Sequence, residues 1–169
     1  KTAKKRYLAA GGGNGTSFYS LFEAQNYRPI DTQLQIEPEQ IISGMRELQA
    51  RSDLFQTTGG VHSALLASPK EVILYREDIG RHNAVDKIIG HCFRQGLPPG
   101  GLMLFLSGRV SFEMLLKAAR FGIPLLVSRS APTNLAVELA QQLGVTLVGF
   151  TRGSGFNVYC HAHRIALTE

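Results

Sequence analysis

Leu102-Met103-Leu104-Phe105-Leu106-Ser107-Gly108-Arg109-Val110-Ser111 changes character abruptly at its midpoint. Its first half is apolar without alternation, the pattern of a short strand covered on both faces. Ser107, Gly108 and Arg109 then form a polar turn, after which residues 110–121 carry apolar positions at helical spacing up to a stop at Gly122. A buried strand, a polar loop and a helix make one β–α unit. Downstream the unit recurs: a strand over 123–127, a helix over 133–143 ended by Gly144, a strand over 145–150 and a shorter one over 157–160. Upstream, residues 71–76 read as a strand and 81–94 as a helix with Val85, Ile88, Ile89 and Cys92 inward. Glu37-Pro38-Glu39 opens a further helix toward Arg51, with proline in the first turn and acids at the positive end of the dipole. Its apolar stripe is Ile41, Ile42, Met45 and Leu48. The expected architecture is an α/β domain in three layers, a mostly parallel sheet with helices on both faces.

The chain has 169 residues, 44% apolar and 18% charged, which suits one globular domain with an ordinary core. The domain is expected over residues 37–169. Residues 1–36 read as a basic, glycine-rich mobile segment, because Gly11-Gly12-Gly13-Asn14-Gly15-Thr16-Ser17 offers little side chain to pack. The missing initiator Met predicts that the chain begins partway through a longer protein. Its basic start is not followed by the apolar stretch of a secretory signal. No apolar run reaches membrane-spanning length, so no membrane is expected as a partner and the default location is the cytoplasm. Two cysteines, Cys92 and Cys160, make no disulfide framework. The net charge of +5 favours an anionic partner. Single arginines beside glycines suit a small anion better than nucleic acid, which is not expected as a partner.

In such a fold ligands gather beyond the carboxyl ends of the strands. The four loops there read Glu77-Asp78-Ile79-Gly80-Arg81-His82, Ser107-Gly108-Arg109-Val110-Ser111, Ser128-Arg129-Ser130-Ala131-Pro132-Thr133 and Thr151-Arg152-Gly153-Ser154-Gly155. Each offers an arginine together with serine, threonine or glycine, a set suited to phosphate: backbone approach, hydroxyl donors and a forked cation. The alternative is that the hydroxyls cap helices and the arginines are solvated. Neither the Rossmann nor the P-loop glycine spacing is present. His82 and Asp86 lie four apart on one helix face and read either as an oriented acid–base pair or as a surface His and a locally paired Asp. Asp78 reads as a cap or as a partner of Arg81. His62, after Gly59-Gly60, lacks the glutamate and Cys-x-x-Cys of a zinc deaminase, and Cys160-His161-Ala162-His163 lacks a further metal ligand. No metal site is expected, and Cys92 reads as core.

Thr58-Gly-Gly-Val-His62, Glu77-Asp-Ile-Gly-Arg-His-Asn-Ala-Val-Asp-Lys87, Ser107-Gly-Arg-Val-Ser-Phe-Glu-Met114 and Thr146-Leu-Val-Gly-Phe150 occur in this order. Together they resemble the formate dehydrogenase accessory sulfurtransferase (FdhD) family, over residues 57–167. The resemblance implies a cytidine-deaminase-like α/β fold without the deaminase zinc. It implies a role in maturing formate dehydrogenases, with sulfur taken as persulfide from a cysteine desulfurase and passed to a molybdenum (or tungsten) bis(pterin guanine dinucleotide) cofactor. It also implies binding of that cofactor, or of GDP as its fragment, by Phe150, Thr151, Arg152, Gly153, Ser154 and Gly155, and a homodimer. His62, Asp78, Arg81, His82, Asp86, Ser107, Gly108, Arg109 and Arg129 are further candidates for cofactor binding.

The family's persulfide cysteine belongs to a Cys-x-x-Cys in a glycine-rich loop. Here Asn14 and Ser17 stand at the corresponding positions, and neither an amide nor a hydroxyl carries a sulfane sulfur. The catalytic residue is therefore unassigned. The sequence leaves open a sulfurtransferase working through another cysteine, a non-catalytic carrier of the cofactor, an unrelated α/β enzyme acting on a phosphorylated metabolite through His82, and a regulatory module acting by contact alone.

Overall fold

The computed structural model describes residues 27–166. Helices α1 (Pro38–Ala50) and α2 (Asp53–Thr58) precede strands β1 (His62–Ala67) and β2 (Val72–Asp78). Helix α3 (Arg81–Gln95), strand β3 (Met103–Leu106), helix α4 (Phe112–Phe121), strand β4 (Leu125–Ser128), helix α5 (Asn134–Leu143) and strands β5 (Thr146–Arg152) and β6 (Gly155–Cys160) follow. The six strands form one sheet in the order β2-β1-β3-β4-β5-β6.

β3, β4 and β5 pair in parallel, whereas β1 is antiparallel to both β2 and β3, and β6 is antiparallel to β5. The α/β class stands, and the expected mostly parallel sheet is corrected to a mixed one. β2, β3, β4 and β5 do run the same way, and these are the four strands whose apolar runs are plain in the sequence. The reversed β1, inserted between β2 and β3, was not read as a strand.

Residues along β3 alternate between the two faces. Met103 and Phe105 pack with Ile41, Met45 and Leu48 of α1. Leu104 and Leu106 pack with Val85, Ile88 and Cys92 of α3 and with Met114 and Leu115 of α4, in a cluster that also holds Leu139 and Ala140 of α5. Helices thus cover both faces, as an unalternating apolar strand requires; full burial of each such side chain stabilises the fold by about 1.5–3 kcal/mol. α1 lies so close to the sheet that a Cβ at Gly44 would overlap the Phe105 ring. Helix ends follow local chemistry: the Ser111 hydroxyl accepts from Met114 N–H, Thr133 from Ala136 N–H, and Gly122 and Gly144 take left-handed backbone (φ 94° and 68°) just past α4 and α5.

The domain starts earlier than residue 37. Ile30 N–H donates to Leu143 O at 2.8 Å, and Leu34 and Ile36 are buried. Ile36 pairs in parallel with Ile165, through Ile36 N–H to Arg164 O and Ala166 N–H to Ile36 O, both 2.9 Å. Arg164, 4% exposed, holds this junction with its guanidinium, donating to Gly144 O (2.6 Å), Ile30 O (3.1 Å) and Thr146 Oγ1 (3.2 Å). Residues 27–36 therefore belong to the body, and the rest of the expected basic segment lies outside the described residues.

Candidate functional site

Because β2, β3, β4 and β5 are codirectional, their carboxyl ends meet at one edge of the sheet. The reversed β1 starts at that same edge, with His62 opposite Asp78 and Ala64 opposite Leu106. A cleft of about 680 Å³ opens there, within the ~300–1,000 Å³ usual for small-molecule sites. His62, Arg81, Ser107, Gly108, Arg109 and Arg129 line it, so three of the four polar loops meet in one cleft.

The reversed strand and the helix before it bring in residues that sequence reasoning missed: Ser52, Phe55, Gln56 and Ser63. Ser130 also lines the cleft; it stood in a polar loop but was not singled out. The signal available for the others was the Gly59-Gly60 break between two anchored segments, which places whatever precedes it beside His62.

Hydrogen bonds fix the walls. Ser52 and Ser63 Oγ lie 2.9 Å apart, and the Tyr75 hydroxyl lies within hydrogen-bonding distance of both, at 3.1 Å from each. Ser63 N–H donates to Ser107 Oγ at 2.9 Å, so β1 holds the loop after β3. Ser128 Oγ donates to Gly108 O at 2.7 Å and accepts from Ser130 N–H at 2.9 Å, joining the loops after β3 and β4. A Cβ at Gly108 would stand 3.1 Å from His62 Nδ1 and 3.7 Å from Arg81 Cδ, so the glycine lets these side chains close in. Burial, and then the Arg81 charge, lower the proton affinity of His62, leaving a neutral imidazole at pH 7 beside the guanidinium groups. Burial, and then a hydrogen bond to Glu77, push the Tyr75 phenol up.

The fourth loop adjoins the cleft rather than lining it. Residues 150–155 form the β5–β6 hairpin, with Phe150 and Gly153 in left-handed backbone (φ 53° and 59°). Gly149 lies where a Cβ would meet Ser130 O at 3.1 Å, an approach that lets Phe150 N–H donate to Ser130 O at 3.2 Å. Arg152 Nε donates to Arg129 O at 3.3 Å, and its guanidinium stands 5.9 Å from the centre of the Phe150 ring. Thr151 is buried with its hydroxyl unpaired, while Ser154 and Gly155 are exposed at the tip.

Asp78, His82 and Asp86 do not line the cleft. Asp78 shapes the entry to α3: Oδ1 accepts from Gly80 N–H (2.9 Å) and Asn83 Nδ2 (3.0 Å), and Oδ2 pairs with Lys87 Nζ (2.7 Å). Lys87 first, then these donors, bring its carboxyl down to about 2. Asp86 turns to Lys117 of α4, which donates to its two oxygens at 2.7 and 2.6 Å. The oriented His82–Asp86 pair is thus corrected: α4 supplies the partner of Asp86, and buried His82 Nε2 has none. Burial first, then Arg81 and Lys117, lower the proton affinity of His82 against Glu113 and Asp86.

Cys92 and Cys160 are both buried, and burial raises both thiols. Cys160 Sγ donates to Val137 O at 3.3 Å. His161 and His163 stack edge to face at 5.8 Å, with His161 Nε2 at 3.2 Å from the carbonyls of Ala140 and Gln141. Among the described residues, no group of three or more His, Cys, Asp or Glu could hold a metal ion. Asn14 and Ser17 lie outside those residues. No helix among them is long and apolar enough to cross a membrane.

The model of the FdhD/NarQ family matches residues 1–166. The chain belongs to the FdhD/NarQ family. Sulfur carrier protein FdhD of Bacillus subtilis is 42% identical over 98% of this chain and 63% of its own length. The protein of that name from Geobacillus kaustophilus is 44% identical over 96% of the chain and 62% of its length. A crystal structure of a protein described as a formate dehydrogenase accessory protein, from Desulfotalea psychrophila, superposes with a TM-score of 0.76 at 35% identity, covering 81% of this chain and 61% of that one. The chain therefore spans less than two thirds of these relatives. The FdhD-like stretches 58–62, 77–87 and 107–114 each supply part of the cleft: His62, Arg81, and Ser107 with Gly108 and Arg109.

Proposed function

We propose that this FdhD/NarQ member is a cytoplasmic maturation factor for formate dehydrogenase. In this reading the cleft takes the guanine-dinucleotide end of the molybdenum or tungsten pterin cofactor, and GDP as its fragment. The observation that carries the reading is the meeting of Arg81, Arg109 and Arg129 in one cleft with the hydroxyls of Ser107 and Ser130. Fork-shaped cations and short donors fit a diphosphate in charge and geometry. Neutral His62 adds a hydrogen-bonding ring without adding charge. The hairpin at 150–155 supports the wall from outside, since Arg152 braces the backbone of Arg129. The cofactor is cargo in this scheme, and these residues bind and orient it.

For sulfur, the names of the relatives support a carrier role; a cysteine desulfurase as donor and a homodimer as the working form are what the family resemblance adds to the proposal. Thiols that are buried and raised by burial are poor nucleophiles at pH 7, so Cys92 and Cys160 are not the carriers. Residues 27–166 then act in binding the cofactor. The test is titration calorimetry of the chain with GDP, with ADP and a sugar phosphate as controls. Saturable, guanine-selective binding is expected. A preference for the sugar phosphate would favour an enzyme of phosphorylated metabolites, and no binding by folded protein would remove the reading.

A further inference from the structure

Helix α2 stands at the mouth of the cleft, and none of its residues is buried against the described body. All residues from Asp53 to Gly60 are exposed, and no residue of α2 is buried. The segment hangs between two buried anchors, Ser52 and Val61. Ser52 is pinned by Leu48 O, Ser63 and Tyr75, and Val61 leads into β1. Between them the hydrogen bonds that hold α2 are local, such as Gln56 N–H to Ser52 O at 2.9 Å and Gln56 Nε2 to Gln49 O at 3.3 Å. The far end is Gly59 in left-handed backbone followed by Gly60, with nothing within 4 Å of a Cβ at Gly59. An element so placed sits at the low end of local stability, where binding lids are found.

Phe55 lines the cleft from this helix while 41% of it faces solvent. An aromatic ring there lies outside the two core clusters, and it faces a site whose walls carry the guanidinium groups of Arg81, Arg109 and Arg129 and the hydroxyls of Ser107 and Ser130. We infer that α2 is a lid and Phe55 the residue that recognises a planar ring, closing on the base of a nucleoside diphosphate whose phosphates the arginines hold. This rests on the cleft being the nucleotide site and adds to it a division of labour. The rigid strand-end loops read charge, and the hinged helix reads the ring. Stacking on Phe55 does not itself distinguish guanine from adenine, so guanine selectivity arises elsewhere in the site.

The chain contains no tryptophan, so Phe55→Trp places a single indole on the lid. Titrating this variant with GDP should quench and shift its emission saturably, with the dissociation constant found by calorimetry. Inorganic pyrophosphate should leave the emission unchanged. Phe55→Ala should weaken GDP binding about fivefold to a hundredfold, the range for loss of a base–aromatic stack, and Phe55→Tyr should restore it. Urea midpoints equal to the parent's would confirm that Phe55→Ala is folded, as expected for a side chain outside the core. GDP binding by Phe55→Ala equal to the parent's, with no emission change in Phe55→Trp, would overturn the lid and leave the nucleotide cleft standing. Failure of the parent itself to bind GDP would remove both.

Discussion

The arginines around the cleft are not equivalent, and their separate contacts set separate outcomes. Arg109 lines the cleft, so Arg109→Ala should weaken GDP binding by about 1.5–3 kcal/mol, the range for a hydrogen bond to a charged group. Arg152 acts through the backbone of Arg129, so Arg152→Ala should cost only about 0.5–1.5 kcal/mol, the range of an ordinary hydrogen bond. Calorimetry on the two variants checks the order, and an equal or larger loss at Arg152 would place its side chain on the ligand. The histidines behave differently. The folded protein lowers the proton affinity of His62 and His82, mainly by burial. Below the unfolded value near 6.5 the unfolded chain therefore binds more protons, and stability present at neutral pH is lost as pH falls. Urea midpoints should drop between about pH 7.5 and about pH 5, and less steeply in a His62→Gln, His82→Gln double variant. A slope unchanged by that pair would assign the loss to other groups.

At the scale of elements, the fit of α1 on β3 depends on an absent side chain. Alanine is ordinarily better than glycine inside a helix by ~1 kcal/mol, but at Gly44 the new methyl would meet the Phe105 ring. Gly44→Ala should therefore destabilise, by about 1–3 kcal/mol as overpacking does, visible as a lower urea midpoint. The same elements show what a sequence reveals. Leu104, Leu126 and Leu147 stand in runs rich in Leu, Val, Ile or Phe bounded by polar turns, so β3, β4 and β5 were legible. β1 reads His-Ser-Ala-Leu-Leu-Ala, without a β-branched or aromatic residue, and gives no strand signal despite its place inside the sheet. Missing β1 hid the reversal of direction, and with it the reason His62 reaches the strand ends. Ser52, Ser63 and Phe55 were lost for the same cause. The strand-end arginines were legible because their polarity interrupts apolar runs. The bond between Asp86 and Lys117 was not, since it joins positions 31 apart on helices whose packing only the fold determines.

At the scale of the whole molecule, both thiols are structural. Native protein should react slowly with an aromatic disulfide reagent and release two thiols only on denaturation, as followed by absorbance. A thiol reacting rapidly in the native state would restore a candidate sulfur carrier to this chain. The sheet also has two unlike ends. Its carboxyl end gathers the polar loops that line the cleft. Its amino end is closed by Arg164, which joins the start of the described chain to its finish through carbonyl oxygens. The isolated bridge at that junction, Ile36 with Ile165, is parallel. Tension applied between residues 27 and 166 would pull these two segments past each other lengthwise, loading their hydrogen bonds together instead of peeling them one after another. The molecule should accordingly be stiff along the axis joining those points, with forced rupture governed by the barrier at this one junction.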